Sequence, residues 1–393
     1  MWLGACVSTI GTFVQQFAQS WLIYDLTRNP FYLGLDLFLG QLPIMLFSLV
    51  GGVFADRLDR RKMLLASQYI QMACAFLLAV LFATHTVKVW HILTLSFMVG
   101  VGQSFGGPAY SALLPTLVAS EDLANAVSMN SIQFNLARII GPTLGGLAYT
   151  LFGATWCFTL NGISYIAVIV SLIAIKVQFV APRTNTSVLK SMAEGMRFIR
   201  DREGLTPLVA LAFCTTLFGF SLTGFLPAIV QTIFHKGPET YELLLVFSGA
   251  GSICGALIVA AMERLKGQGR LAVLALVALG TATAGFATSR WLPLSCALIF
   301  LAGAAVMASA SLMLSLVQLI VADSMRGRVM SVYNLAFRAG MPLGALVLGK
   351  LIPVLGISVA IAAFGISLVA VASIFLVVMR RVPTFRSQAS LEV

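Results

Sequence analysis

Gly52-Val53-Phe54-Ala55-Asp56-Arg57-Leu58-Asp59-Arg60-Arg61-Lys62 is the stretch on which the fold turns. Six of the seven positions from 56 to 62 carry charge, while long, predominantly apolar runs lie on both sides, near 31–54 and 63–84. Each run holds roughly twenty residues or more, and at about 1.5 Å per helical residue it crosses a hydrocarbon layer of about 30 Å. The stretch therefore reads as a charged turn between two membrane-spanning helices.

The rest of the chain repeats that pattern. Of its 393 residues 59% are hydrophobic and 10% charged, against roughly 25% charged in a soluble domain. So few charges cannot cover a soluble globule, and an apolar exterior needs lipid as its solvent. A membrane β-barrel would show alternating segments of about ten residues, whereas these runs are continuous and rich in Leu, Ala, Gly and Phe. The pattern predicts twelve spans near 2–25, 31–54, 63–84, 90–117, 124–152, 154–176, 205–233, 241–262, 270–288, 291–321, 329–354 and 357–379. The class is an all-α integral membrane protein. The six cysteines lie singly in apolar runs and read as small buried hydrophobes. The three histidines match no metal-ligand spacing.

Loop charge orients the spans. Eighteen of the 25 Lys and Arg fall in one set of alternate loops and the C-terminal tail: 57–62, 176–202, 264–270, 326–328 and 380–386. The opposite set holds four, Arg28, Lys88, Lys236 and Arg290, and Arg138, Arg338 and Lys350 lie within spans. The positive-inside rule places the first set, and both termini, in the cytoplasm. The net charge of +11 is thus a topogenic signal. A nucleic-acid role would need a folded basic domain, and no loop is long enough to be one. The first apolar run starts at Trp2 with no basic residue before it, which suggests a longer natural N-terminus or one trimmed of a few residues. It is too long for a signal peptide.

Two halves are expected: a six-helix bundle over 1–176, a linker over 177–204, and a second bundle with a short tail over 205–393. In the linker, Ala181-Pro182-Arg183-Thr184-Asn185 reads as flexible. Val188, Met192, Met196 and Ile199 then recur at helical spacing among Lys190, Glu194, Arg197 and Arg200, predicting an amphipathic helix on the cytoplasmic membrane face. The halves echo each other. Ser131, Arg138 and Pro142 in the fifth span match Ser331, Arg338 and Pro342 in the eleventh, and a one-residue slip aligns Asn135 and Gly141 with Asn334 and Gly340. Repeats of this kind build many transporters.

The opening stretch, with Gly52, Asp56, Arg57, Arg60 and Arg61, resembles the G-x-x-x-D-R-x-G-R-R signature of the major facilitator superfamily at the same place between spans 2 and 3. Asp59 stands where that family has a second Gly. A degenerate copy, Glu263-Arg264-Leu265-Lys266-Gly267-Gln268-Gly269-Arg270, lies between spans 8 and 9, where the family repeats it. The resemblance implies two pseudo-symmetric six-helix bundles. It also implies that Asp56 latches the cytoplasmic ends of the halves toward the start of span 11, with the arginines bracing it. Gly52 is read as allowing close helix approach. Arg138, Gly141, Pro142, Gly145 and Gly146 resemble the G-P-x-x-G-G antiporter motif of the superfamily's exporters. In it Pro142 frees a carbonyl and kinks the helix, and the glycines permit close packing. Trp21-Leu22-Ile23-Tyr24-Asp25-Leu26-Thr27 and Glu194-Gly195-Met196-Arg197-Phe198-Ile199-Arg200 look like the bacterial branch of enterobactin exporters and macrolide efflux proteins.

Candidate residues follow. Arg within a span costs at least about 2.5–3.5 kcal/mol, so Arg138 and Arg338 should face protein or a watery cavity. The fold implies a central cavity lined by spans 1, 4, 7 and 10, and the polar and aromatic residues there are Gln15, Gln16, Gln19, Gln103, Tyr110, Phe218 and Gln318, joined by Asn135. Such a lining suits a bulky amphipathic ligand, although each amide serves equally as interhelical glue. Asp25 and Asp36 are the acids nearest membrane depth and the candidates for carrying coupling protons. No nucleotide, hydrolase or metalloprotease motif occurs, so no enzyme activity and no cofactor are expected. The sequence reads as a secondary exporter of a small amphipathic molecule, siderophore-like or drug-like, working by alternating access and proton antiport in the bacterial inner membrane. Its partners would be the substrate, the lipid bilayer and protons, with no nucleic acid, and it would act as a monomer. The rivals are an importer or facilitator of the same fold and a non-transporting receptor or secretion-assembly component.

Overall fold

Turn chemistry cuts the apolar runs into helices. α1 (Trp2–Thr27) stops where Arg28 takes a left-handed conformation, φ 50°. Asn29 Oδ1 then accepts from the Phe31 amide at 3.0 Å, and Pro30 opens α2 (Pro30–Arg57), since its missing N–H costs nothing in a first turn. Asp59 Oδ1 accepts from the amides of Arg61 (3.0 Å) and Lys62 (3.3 Å) and so caps α3 (Arg60–Ala83). The residue that departs from the superfamily signature is thus the N-cap of the third span. α4 (Val89–Leu113), α5 (Leu123–Phe152) and α6 (Ala154–Ala174) follow, then α7 (Val188–Asp201), α8 (Leu205–Phe234), α9 (Pro238–Ala261), α10 (Gln268–Thr288), α11 (Leu292–Ile320), α12 (Arg326–Leu355) and α13 (Ile357–Arg381). This computed structural model describes residues 1–175, 188–202, 204–262 and 267–381. The Asp56 side chain, the 181–185 stretch and residues 263–266 of the second signature copy lie outside that description.

Twelve long helices lie at the expected places. Among the described residues nine helices are long and apolar enough to cross a membrane. α1, α4 and α5 fall short; they hold the polar residues Gln15, Gln16 and Gln19, Gln103, and Asn130, Gln133, Asn135 and Arg138. Large apolar side chains stand exposed along the spans, among them Val80, Val170, Leu257, Leu274 and Ile366, as a lipid-solvated surface requires.

The seventh span has the expected extent but an uneven backbone. It is α-helical over Leu205–Gly219, 3-10 over Phe220–Phe225, α again over Leu226–Ile229 and π over Val230–Phe234. Pro227 donates no amide to the Thr223 carbonyl, which breaks the i to i−4 ladder there. α5 runs unbroken through Pro142.

By contacts the chain forms two units, Met1–Asn185 with Val230–Val246, and Thr186–Ile229 with Phe247–Val393. Close helix packing repeats between them. In the first, α5 lies on α1 with Gly141 against Phe13 and Gly145 against Phe17; in the second, α12 lies on α8 with Gly340 against Thr216 and Gly344 against the Leu217 carbonyl. A left-handed glycine joins α5 to α6 (Gly153, φ 82°) and α12 to α13 (Gly356, φ 83°). Duplication is thus visible in packing as well as in the Arg-Pro echo.

Two expectations need correction. Gly52 faces open space; its neighbour Gly51 is the close-approach residue, where a β-carbon would overlap the Ser104 carbonyl of α4. The α7 helix forms as expected, yet it is seated on protein. Gly195 packs on the Arg328 carbonyl of α12, a β-carbon there falling 2.6 Å from the oxygen, and Glu194 pairs with Arg328 at 2.9 Å. Ile199 is buried in the second unit's core, while Met196, expected on the same stripe, is 55% exposed.

Candidate functional site

Amides buried in apolar helices must find partners, since each unpaired one costs on the order of a few kcal/mol. In the first unit Gln15, Gln19, Gln71, Gln103 and Asn161 find one another or a neighbouring polar group. Asn161 Nδ2 of α6 donates to Gln15 Oε1 at 2.7 Å. Gln15 Nε2 donates one turn on to Gln19 Oε1 at 3.3 Å. Gln19 Nε2 then reaches both oxygens of Asp36 in α2, at 3.1 and 2.9 Å, and Ser96 Oγ of α4 at 2.9 Å. Ser96 in turn donates to Asp36 Oδ1 at 2.5 Å. Every donor in this chain points toward the carboxylate, the arrangement that suits an anionic acceptor.

Asp36 is 8% exposed. Gln19 and Ser96 are its hydrogen-bonding partners, and no salt bridge to a Lys, Arg or His occurs among the described residues. A carboxylate removed from water without a countercharge can take up and release a proton, and doing so changes its bonding. A protonated Asp36 must donate through one oxygen, which reverses the Ser96 bond or releases Gln19.

A second cluster adjoins the first. Tyr165, one turn along α6 from Asn161, donates its hydroxyl to Gln71 Oε1 of α3 at 3.2 Å, and Gln103 Nε2 of α4 donates to the same oxygen at 3.3 Å. Gln71 Nε2 reaches Ser67 Oγ at 3.0 Å, and Ser67 donates to the Gly102 carbonyl at 2.7 Å. Thr12 of α1 lies 3.4 Å from the Tyr165 hydroxyl. The polar interior of this bundle thus spans α1, α2, α3, α4 and α6. Ser67, Gln71, Ser96, Asn161 and Tyr165 were not anticipated; the signal for Gln71 and Asn161 was a lone amide in an otherwise apolar span.

The remaining candidates separate. Gln16 is exposed, away from the network its neighbours join. Tyr110 donates to Asn130 Oδ1 at 3.0 Å, linking α4 to α5, and Asn135 Nδ2 bonds back to the Ser131 carbonyl at 2.8 Å. Arg138 is partly buried and makes no hydrogen bond or ion pair among the described residues. Asp25 is half exposed and bound to Arg28 at 2.8 Å, so it stands apart from Asp36. In the second unit Phe218 meets Phe364 edge-on at 5.2 Å and Phe220 meets Phe337 at 5.8 Å. Gln318 and Arg338 are exposed there.

The signature arginines act as helix braces. Arg60 donates to the carbonyls of Ala55 (3.1 Å) and Ala112 (3.0 Å), tying the ends of α2 and α4. Arg61 donates to Leu172 and Ile173, both at 2.6 Å, closing the end of α6. Arg57 is exposed in the last turn of α2, where a cation suits the helix dipole. Among the described residues no three His, Cys, Asp or Glu side chains gather as metal ligands.

Comparison with known proteins agrees with this architecture. Residues 1–392 match the family described as transmembrane secretion effectors. The staphyloferrin A transporter of Staphylococcus aureus is 24% identical over 379 residues, covering 95% of this chain and 94% of that one. The enterobactin exporter of Escherichia coli is 24% identical over 379 residues, with coverage of 93% and 87%. Macrolide efflux protein A of Streptococcus pyogenes is 22% identical over 261 residues, or 66% of this chain and 64% of its own length. Among solved structures, an inward-facing, occupied bacterial homologue of the lysosomal transporter Spinster superposes with TM-score 0.76 at 14% identity, covering 96% and 95% of the two chains. The nucleoside transporter NupG superposes with TM-score 0.70 at 14% identity, covering 96% and 99%.

Proposed function

We infer, from the family to which this chain belongs, the transmembrane secretion effectors of the major facilitator superfamily, that it is a secondary exporter of a small amphipathic molecule driven by proton antiport. Residues 1–176 and 205–393 act as the two rocking halves, joined by 177–204. The Lys- and Arg-rich loops and both termini lie in the cytoplasm. The observation that carries the reading is Asp36, a carboxylate within a span held by Gln19 and Ser96, with no cation bound to it among the described residues. Such a group is expensive to keep charged and cheap to keep neutral away from water, which makes it an exchangeable proton site.

Direction and substrate rest on likeness. The relatives include proteins described as a macrolide efflux protein and an enterobactin exporter, and the Gly141-Pro142 to Gly145-Gly146 segment resembles the antiporter motif. Arg138, with no hydrogen-bond or ion-pair partner among the described residues, is available to a polar or anionic group of the cargo. Asp56 and the arginine braces around it serve the cytoplasmic latch.

Everted membrane vesicles from cells overproducing the chain test the reading. With an acidified lumen, erythromycin or enterobactin should accumulate inside, and a protonophore should abolish the accumulation. Loss of preloaded compound from the lumen under the same gradient would identify an importer and overturn the assignment of direction.

A further inference from the structure

The antiporter-like segment contains three glycines, and two of them have a shared explanation. Gly141 and Gly145 are four residues apart on one face of α5, and both give onto α1. A β-carbon at Gly141 would overlap Phe13, and one at Gly145 would lie 3.1 Å from Phe17 Cβ. The second unit repeats this with Gly340 and Gly344 against α8. The repeat stops at the third glycine. The position after Gly344 is Ala345, fully buried, so the packing of these helix pairs does not by itself demand glycine at Gly146.

What Gly146 accommodates is a carboxylate. A β-carbon there would overlap Glu242 Oε2 and fall 2.6 Å from Cδ and 2.9 Å from Cγ. Glu242 is in the first turns of α9, within the Val230–Val246 segment that belongs to the first unit. Its neighbour Tyr241 fixes that segment to α1. The Tyr241 ring stacks on Phe17 at 4.7 Å and 16°, and on Trp21 at 6.0 Å and 22°. Consecutive helical residues point about 100° apart, so with Tyr241 on α1 the Glu242 side chain is delivered to α5.

Glu242 makes no hydrogen bond or salt bridge among the described residues. The charged and titratable groups of these elements are Glu239 on its own helix, His235 and Lys236 just before that helix, and Asp25 with Arg28 at the end of α1; Tyr149 of α5 adjoins Asp25. Arg28 is already bound to Asp25 and to Gln231. Among the described residues, then, no cation is paired with the carboxyl in the notch.

We propose that Gly146 and Glu242 form a second proton-binding site, a glycine notch that receives the Glu242 carboxyl in its neutral form. When the α9 segment lifts away, the carboxyl meets water and exchanges its proton; when it seats, Tyr241 closes over Phe17 and the proton is carried in. The proposal rests on the proton-antiport reading and adds to it a loading group near the extracellular mouth, distinct from Asp36. Only a proton moves, from water to a carboxylate oxygen and back.

Trp21 reports the seating without any transported substrate. In the full chain with Trp2, Trp90, Trp156 and Trp291 replaced by Phe, Trp21 emission should change reversibly as pH rises from about 5 to about 9, because Tyr241 leaves its stack. The isosteric Glu242→Gln should abolish that transition, and so should Gly146→Ala, which fills the notch. Asp36→Asn should leave it in place. The same transition in Glu242→Gln, no transition in the parent chain, or its loss in Asp36→Asn alone would each overturn the proposal. A steric control is independent of pH: Gly146→Ala should lower the melting temperature, and Glu242→Ala in the same chain should recover most of the loss. No recovery would show that the notch does not house Glu242. Vesicle accumulation tests the exporter reading separately, so failure of one can be told from failure of the other.

Discussion

Replacing Gln19 with Leu probes the polar core of the first unit most sharply. Gln19 supplies hydrogen bonds to both oxygens of Asp36, at 2.9 and 3.1 Å. Each hydrogen bond to a charged group contributes about 1.5–3 kcal/mol. Leaving a buried charge with one remaining donor, Ser96, costs about 3–5 kcal/mol in all. The substitution also strips Gln15 of its acceptor. In an Asp36→Asn background the acceptor is neutral, and the same change should cost only about 1–2 kcal/mol, the value of ordinary hydrogen bonds. The double-mutant cycle therefore predicts a coupling of about 1–4 kcal/mol between positions 19 and 36. Reversible unfolding in mixed detergent micelles measures it at neutral pH. Equal costs of Gln19→Leu in the two backgrounds would refute the view that Asp36 is held as a carboxylate by Gln19.

Other expectations follow from single contacts. Gly51→Leu should destabilise by about 1–3 kcal/mol through overlap with α4, whereas Gly52→Ala should be neutral or slightly stabilising; thermal denaturation of the purified chain compares them. Asp59→Ala should cost about 1 kcal/mol by uncapping α3, and Asp59→Gly only a few tenths. Glu194→Ala removes a half-exposed pair to Arg328 and should change stability by no more than about 1 kcal/mol, whereas Gly195→Val should release α7 from α12, seen as faster proteolysis between α6 and α8.

The spans were legible because hydropathy and turn residues act locally. Asn29-Pro30, Asp59 and Gly153 end or begin helices wherever they stand, and the predicted boundaries fall within a few residues of the observed ones. The uneven backbone of α8 was less legible: Pro227 breaks the ladder there, while Pro142 leaves α5 continuous, and only packing decides between the two outcomes. Gly51 and Gly52 are adjacent and chemically identical, and their roles differ by the 100° between them. The candidate site was half legible. Gln15, Gln19 and Asp36 stood out as polar residues in apolar runs. Asn161, Gln71 and Ser96 are single polar residues on three other helices, and their meaning exists only where five helices converge. Asp25 and Asp36 look alike in sequence, although the Arg28 three residues beyond Asp25 foreshadows its surface pair. Glu242 was hidden because an acid near the start of a helix reads as a solvated terminus, and nothing local connects it to a glycine almost a hundred positions earlier.

The central claim, that Asp36 exchanges the proton that drives export, is tested most directly by substrate-dependent proton movement. In everted vesicles with an acid lumen and a fluorescent probe of lumenal pH, adding enterobactin or erythromycin should release protons through the parent chain and none through Asp36→Asn. Equal proton release by Asp36→Asn would contradict it.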